Sequence, residues 1–248
     1  MKNIIRKLGL ATALCTSMFV QAETIDIGIM YDNNSAAKTG NINTKINQLI
    51  SFSNQVFSQN GIDITLRLVG TRNLGNYQIT PSSSWLNAVT NSSWVNGIRD
   101  DWRADMVAVL GVGESAGQPG LISCGIAWVG QGSNGNLYSS QSGKMYSITA
   151  VDCGATTFVH ELGHNMGNAH SRKQGDTSGG VYVDGMGHGV QNLFASIMAY
   201  PHVFGSATQY DYFANPNWSV SGQPYGINGQ AYGWKTINAT KRSISRFK

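Results

Sequence analysis

Apolar and polar residues alternate from Thr24 to Tyr31, the period-two signature of a strand with one buried face. From Asn41 to Asn60 the period lengthens. Ile42, Ile46, Leu49, Ile50, Val56 and Phe57 fall at helical spacing, and Gly61 marks the stop. Alternation returns over Ile62 to Val69. A second helix is predicted from Ser84 to Trp102, with Trp85, Val89, Trp94, Ile98 and Trp102 as its apolar set. Met106 to Val112 is a continuous apolar run, which suits a parallel strand covered on both faces. A Gly-rich loop follows, then strands at 125–130 and near Met145 to Val151. A helix begins near Thr156 and makes its core contacts through Phe158, Val159, Leu162 and Met166. Residues 171–197 read as a long Gly-rich loop. The stretch from about Ala231 to Phe247 reads as a C-terminal helix with Ile237, Ile244 and Phe247 facing inward. Strand, helix, strand, helix, strand is an α/β (α+β) order.

The first 22 residues change the charge picture. Lys2, Arg6 and Lys7 precede a largely apolar run from Leu8 to Val20, and Val20-Gln21-Ala22 offers small residues for cleavage. Residues 1–22 are therefore expected to be a signal peptide, with a mature chain starting at Glu23 and secreted. The full chain carries 17 basic and 13 acidic residues, a net of +4. The leader holds three of the basic residues and no acidic ones, so 17 less three leaves 14 against 13, about +1. The basicity belongs mostly to the leader and gives no argument for nucleic acid or an anionic membrane. Charged residues make up only 12% of the chain, which suits a loop-rich extracellular protein. Of three cysteines, Cys15 lies in the leader. Cys124 and Cys153 remain, and in an oxidising compartment they are expected to form a disulfide stabilising by about 3 kcal/mol.

The candidate chemistry is concentrated in eleven residues, His160-Glu161-Leu162-Gly163-His164-Asn165-Met166-Gly167-Asn168-Ala169-His170, an HExxHxxGxxH pattern. On a helix, His160 and His164 project from one face and can grip one zinc ion. Gly167 can take a positive φ that ends the helix and swings His170 round as a third ligand. Three imidazoles leave one tetrahedral position open, which marks a catalytic rather than a structural site. Glu161, beside the first ligand, can act as general base on a metal-bound water. His188 and His202 are expected to be loop residues outside the ligand set.

These residues resemble the metzincin zinc metalloproteases, and in particular the bacterial reprolysin-like proteases, including the peptidyl-Asp metalloendopeptidase type. The resemblance implies a metzincin catalytic domain over residues 23–248. A twisted mixed sheet and the active-site helix would form an upper subdomain, 23–170. A small irregular lower subdomain, 171–248, would end in a helix. The stretch Ser196-Ile197-Met198-Ala199-Tyr200-Pro201 is similar to the family's Met-turn, in which Met198 would floor the three imidazoles. Tyr200 stands where astacins and serralysins carry a tyrosine near the metal, and it would donate to the developing oxyanion. Gly125-Ile126-Ala127-Trp128-Val129-Gly130 looks like the edge strand that pairs with extended substrate in reprolysins. The chain departs from that group at Ser171, where reprolysins usually carry Asp, so the subfamily stays open.

The expected activity is that of a secreted zinc-dependent endopeptidase acting on polypeptide, with one catalytic zinc. Two alternatives stand beside it: a zinc-binding adhesin or toxin-type module without turnover, and a zinc hydrolase acting on cell-wall peptides. Asp176 and Asp184 in the Gly-rich loop are candidate calcium ligands without a regular spacing. Arg172 and Lys173 are nearby in sequence should the substrate be acidic. With no propeptide in view after the leader, restraint by a separate inhibitor or an export partner is expected. So is a monomer, without membrane insertion of the mature form.

Overall fold

The computed structural model describes residues 22–117 and 121–248. The leader assigned to residues 1–22, with Cys15, lies outside the described residues except for Ala22. Among the described residues no helix is long and apolar enough to cross a membrane.

A five-stranded sheet organises the chain. It is built from β1 (Glu23–Tyr31), β2 (Ile64–Asn73), β3 (Met106–Gly111), β4 (Gly125–Ala127) and β5 (Tyr146–Ala150), in the order β2-β1-β3-β5-β4. The first four strands in that order are parallel. β4 runs antiparallel to β5 at the edge, with Ile126 opposite Ile148. Side-chain alternation divides the core in two. Ile25, Ile27, Ile29, Met106, Ala108 and Leu110 enter one cluster, while Met30, Val107, Val109 and Ile148 enter the other. β3 is buried throughout, as its unbroken apolar run predicts.

A short helix, α1 (Asn33–Thr39), follows β1, and the first face is covered by α2 (Ile42–Gln59), α5 (Ala155–Asn165) and α6 (Gly233–Ile244). Helix α2 starts where Asn41 accepts from the Thr44 N–H, and it stops before Gly61 at φ +61°. Ile237 and Ile244 of α6 are fully buried in the same cluster as β1 and α2, and Phe247 packs against it. The C-terminal helix is therefore part of the main core as well as a seal on the irregular region.

The second face carries α3 (Ser83–Asn91) and α4 (Ser93–Trp102), where a single helix from Ser84 to Trp102 is expected. The break falls at Ser92, which is extended (φ −73°, ψ 115°) and accepts from the Val95 N–H at 3.3 Å. Serine competes with the helical backbone and is a strong N-cap, so it ends one helix and starts the next. The restart shifts the apolar face. Leu86, Val89, Val95 and Ile98 are buried, whereas Trp94, expected inward, is 51% exposed.

The edge strand is also shorter than the expected 125–130. At Trp128 the indole N–H turns to Thr90 Oγ1 at 2.9 Å, and the Gly130 N–H donates to the His164 carbonyl at 2.9 Å. The backbone pairing fades with a long contact of 3.5 Å from the Trp128 N–H to the Tyr146 carbonyl, and at Gly130 the chain is bonded to α5 instead. Cys124 and Cys153 are joined as expected, with Cα atoms 5.7 Å apart. After α5, residues 171–197 hold only a short 3-10 turn (Arg172–Gln174) and two-residue ladders. The segment is nevertheless well packed, with Val181, Asp184, Met186, Phe194 and Ile197 buried.

Candidate metal centre

Helix α5 has two faces. Phe158, Val159 and Leu162 enter the core, while His160, Glu161 and His164 turn toward the cleft and are still almost fully buried. The helix ends at Met166, and Gly167 follows at φ +96° with its N–H on the His164 carbonyl. A side chain there would be strained by that φ, and its Cβ would stand 2.6 Å from Val181 Cγ2. The reversal brings His170 back to the helix. His160, His164 and His170 each present a ligand atom within 4.8 Å of the others, the sole such trio among the described residues.

Hydrogen bonds fix which ring nitrogen is free. His160 Nδ1 lies 2.7 Å from the Ile197 carbonyl, and His164 Nδ1 lies 2.8 Å from the Asn168 carbonyl. A carbonyl only accepts, so both Nδ1 atoms carry the proton and both Nε2 atoms keep a lone pair. His164 Nε2 and His170 Nε2 are 3.1 Å apart, and His160 Nε2 is buried without a partner. Converging lone pairs with an orphan among them fit a cation. Zinc–nitrogen bonds of about 2.0–2.1 Å in a tetrahedron place nitrogens roughly 3.4 Å apart, close to the 3.1 Å between His164 and His170. Burial holds the His160 imidazole well below its usual pKa and pushes His164 down to about 3. Burial also lowers His170, against the opposing pull of Asp176. All three are neutral near pH 7, the form that binds metal.

Glu161 is next to the trio. Burial raises its carboxyl well above the usual range, and Oε2 has no protein partner. Gly125, at the start of β4, faces it: a Cβ there would stand 2.6 Å from Glu161 Cδ. Gly163 plays a matching part below, since a Cβ there would meet Met198 Sδ at 2.6 Å. Met198 is fully buried against the helix, and the carbonyl before it orients His160. Tyr200 is 40% exposed, with its ring 5.7 Å from that of His160 and 4.9 Å from that of His170. Burial, then Glu161 and Asp176, push its hydroxyl up to about 12, so it remains a donor.

The other candidates fall as follows. Gly125, Ile126 and Ala127 are on the half-exposed edge strand beside Glu161, and Trp128 and Val129 lie just past it. His188 packs on Phe194, and His202 stacks on Tyr200. Asp184 is paired with Lys235 at 2.6 Å. Asp176 accepts from the His170 backbone N–H at 2.8 Å and lies 3.2 Å from His170 Nδ1. Arg172 donates to the carbonyls of Thr177 and Gln230, and Lys173 reaches Gln191. With His188 they line a cavity of about 190 Å³ beside Ser171. Sequence reasoning missed Gly125 and Gly163 as space for Glu161 and Met198. It also missed Gln174, whose Oε1 accepts from both Ser171 Oγ and the Tyr200 N–H. The spacing between the histidines carries no trace of these contacts.

Residues 43–171 match the family profile described as Metallo-peptidase family M12B Reprolysin-like. The chain is 33% identical to a peptidyl-Asp metalloendopeptidase of Pseudomonas aeruginosa, in an alignment covering all of this chain and 44% of that protein. It is 26% identical to a protein of the same name from Stenotrophomonas maltophilia strain R551-3, over 86% of this chain and 50% of that protein. It thus spans about half the length of these relatives. A solved structure described as a chaperone-substrate complex superposes with a TM-score of 0.71 at 18% identity, over 92% of this chain and 36% of that one, which is a likeness of fold. The matched stretch exceeds half of the chain and runs through the third histidine, and the chain belongs to the M12B reprolysin-like metallopeptidase family.

Proposed function

We propose that this protein is a zinc-dependent endopeptidase that hydrolyses peptide bonds within polypeptides. The observation that carries the reading is the orphaned Glu161 Oε2, buried beside three imidazoles whose free Nε2 atoms converge. His160, His164 and His170 would hold the zinc, which supplies a Lewis acid for the carbonyl and lowers the pKa of a coordinated water toward about 7. A cation on the three imidazoles would favour the ionised form of Glu161 against the effect of burial, and the carboxylate takes a proton from the attacking water as the new C–O bond forms at the peptide carbonyl. It then delivers a proton to the amine nitrogen as the C–N bond breaks. The Tyr200 hydroxyl, still protonated at neutral pH, donates to the carbonyl oxygen as negative charge develops there. The outer edge of β4 offers unpaired backbone groups to an extended peptide.

Casein digestion with zinc content measured in parallel tests this. Glu161→Gln is expected to keep the metal and lose cleavage by about 10²–10⁴-fold. Undiminished cleavage by that variant would remove Glu161 from the mechanism, and a wild type that holds zinc and cuts nothing would favour a binding module.

The same proposal extends to substrate and location. The relatives are named for aspartate, and the Arg172, Lys173 and His188 lining beside Ser171 supports a preference for acidic side chains. Cleavage profiling on a peptide library should then enrich aspartate next to the cut; cuts indifferent to acidic residues would end that part. Export is supported by the leader pattern and by a disulfide, which persists in oxidising compartments. N-terminal sequencing of the protein outside the cytoplasm should begin at Glu23.

A further inference from the structure

The three imidazoles are not held alike. His160 and His164 stand on α5 and are oriented by backbone carbonyls of Ile197 and Asn168. His170 lies beyond the helix, and its side chain is 25% exposed, so the rigid helix does nothing to aim it. Its orientation comes from Asp176, a residue six positions later.

The return of the chain is built into the intervening sequence. Ser171 is extended, and Arg172–Gln174 form a 3-10 turn pinned by Ser171 Oγ on Gln174 Oε1 at 2.7 Å. Gly175 closes the turn at φ +102°, with its N–H on the Arg172 carbonyl. That left-handed step, easy for glycine, sends the next residue back. Asp176 Oδ2 thereby reaches His170 twice, through the backbone N–H and at Nδ1. A carboxylate at Nδ1 keeps the proton there, turns the Nε2 lone pair toward the metal position and makes that nitrogen a stronger donor. Asp176, named above as a candidate calcium ligand, already has this other partner.

We propose that Asp176 is the positioning residue of the third metal ligand, and that the segment from Ser171 to Asp176 is a bracket that completes the site. The proposal rests on the reading of a zinc centre but not on which substrate is cut.

The test is zinc affinity of the purified protein, by competition with a chromophoric chelator, alongside thermal melting of the metal-free form. Asp176→Ala is expected to weaken zinc about 10–100-fold, the usual range for loss of such a partner. Asp176→Asn, which keeps an acceptor of the same shape, should recover part of the loss. Metal-free melting should match wild type in both. A wild-type zinc constant in Asp176→Ala overturns the proposal. So does a large drop in metal-free melting, which would make the residue a loop support. A wild type that takes up no zinc overturns the metal centre itself. Tight zinc without any cleavage leaves Asp176 in place and removes only the proposed activity.

Discussion

The sheet and the segment after Gly167 bury their residues by different means. In β1, β3 and β5 burial comes from a repeating pattern of side chains. Between Ser171 and Ile197 there is no period, yet Met186, Phe194 and Ile197 are as buried as Ile27 or Val107. Glycines and single polar contacts hold that segment. A Cβ at Gly185 would meet Thr236 Oγ1 at 2.5 Å, and Ser196 Oγ accepts from the His188 N–H. The contrast teaches where precision is kept. The periodic half gives a rigid wall that tolerates exchange of one apolar residue for another. The aperiodic half sets the height of Met198 and the angles of His160 and His170 through contacts that each occur once.

The comparison can be broken hardest at the proposed metal ligands. His164→Ala removes a nitrogen that both halves converge on, and metal analysis should find zinc lost and proteolysis abolished. Retained zinc would mean the trio is misassigned. Next comes the covalent tie between β4 and the turn before α5. Loss of Cys124–Cys153 should cost about 3 kcal/mol in denaturant unfolding, and an unchanged midpoint would show that the wall needs no such brace. Gly125→Ala tests the place where the wall meets Glu161, the proposed general base. Displacement of Glu161 should lower kcat by about 10²-fold with zinc content and KM kept. Full turnover would show that Glu161 moves aside freely.

A subtler effect belongs to the sheet side alone. Burial raises the Asp105 carboxyl to about 6, above an unfolded value of about 3.9. The folded state thus binds the proton more tightly, and stability contributed by protonated Asp105 is lost as pH rises from about 4 to about 6. Melting of wild type against Asp105→Asn should diverge across that window, in favour of the variant at the upper end. Parallel curves would show that Asp105 titrates normally. The smallest expected change is Ser92→Ala, about 1 kcal/mol from loss of the cap between α3 and α4, with the metal site untouched.

Much of this was legible beforehand. Helix α2 with Asn41 and Gly61, the buried run of β3, and the meeting of the imidazoles of His160, His164 and His170 follow from spacing and residue type. The break at Ser92 was not, since Trp94 continues the helical spacing and only the cap geometry interrupts it. The early end of β4 was not either, because Gly130 turns to the His164 carbonyl, a partner far along the chain.

What the sequence determined alone is local: which segments are helix or strand, which residues can bind zinc, and that Gly167 lets the chain turn back. What only the tertiary structure decided is the pairing of groups far apart in the chain. It put the Ile197 carbonyl on His160, Gly125 opposite Glu161 and Met198 against Gly163. The physical reason is that periodicity reports an average environment over many residues. A single hydrogen bond or a missing Cβ depends on the meeting of two segments and leaves no repeat to read.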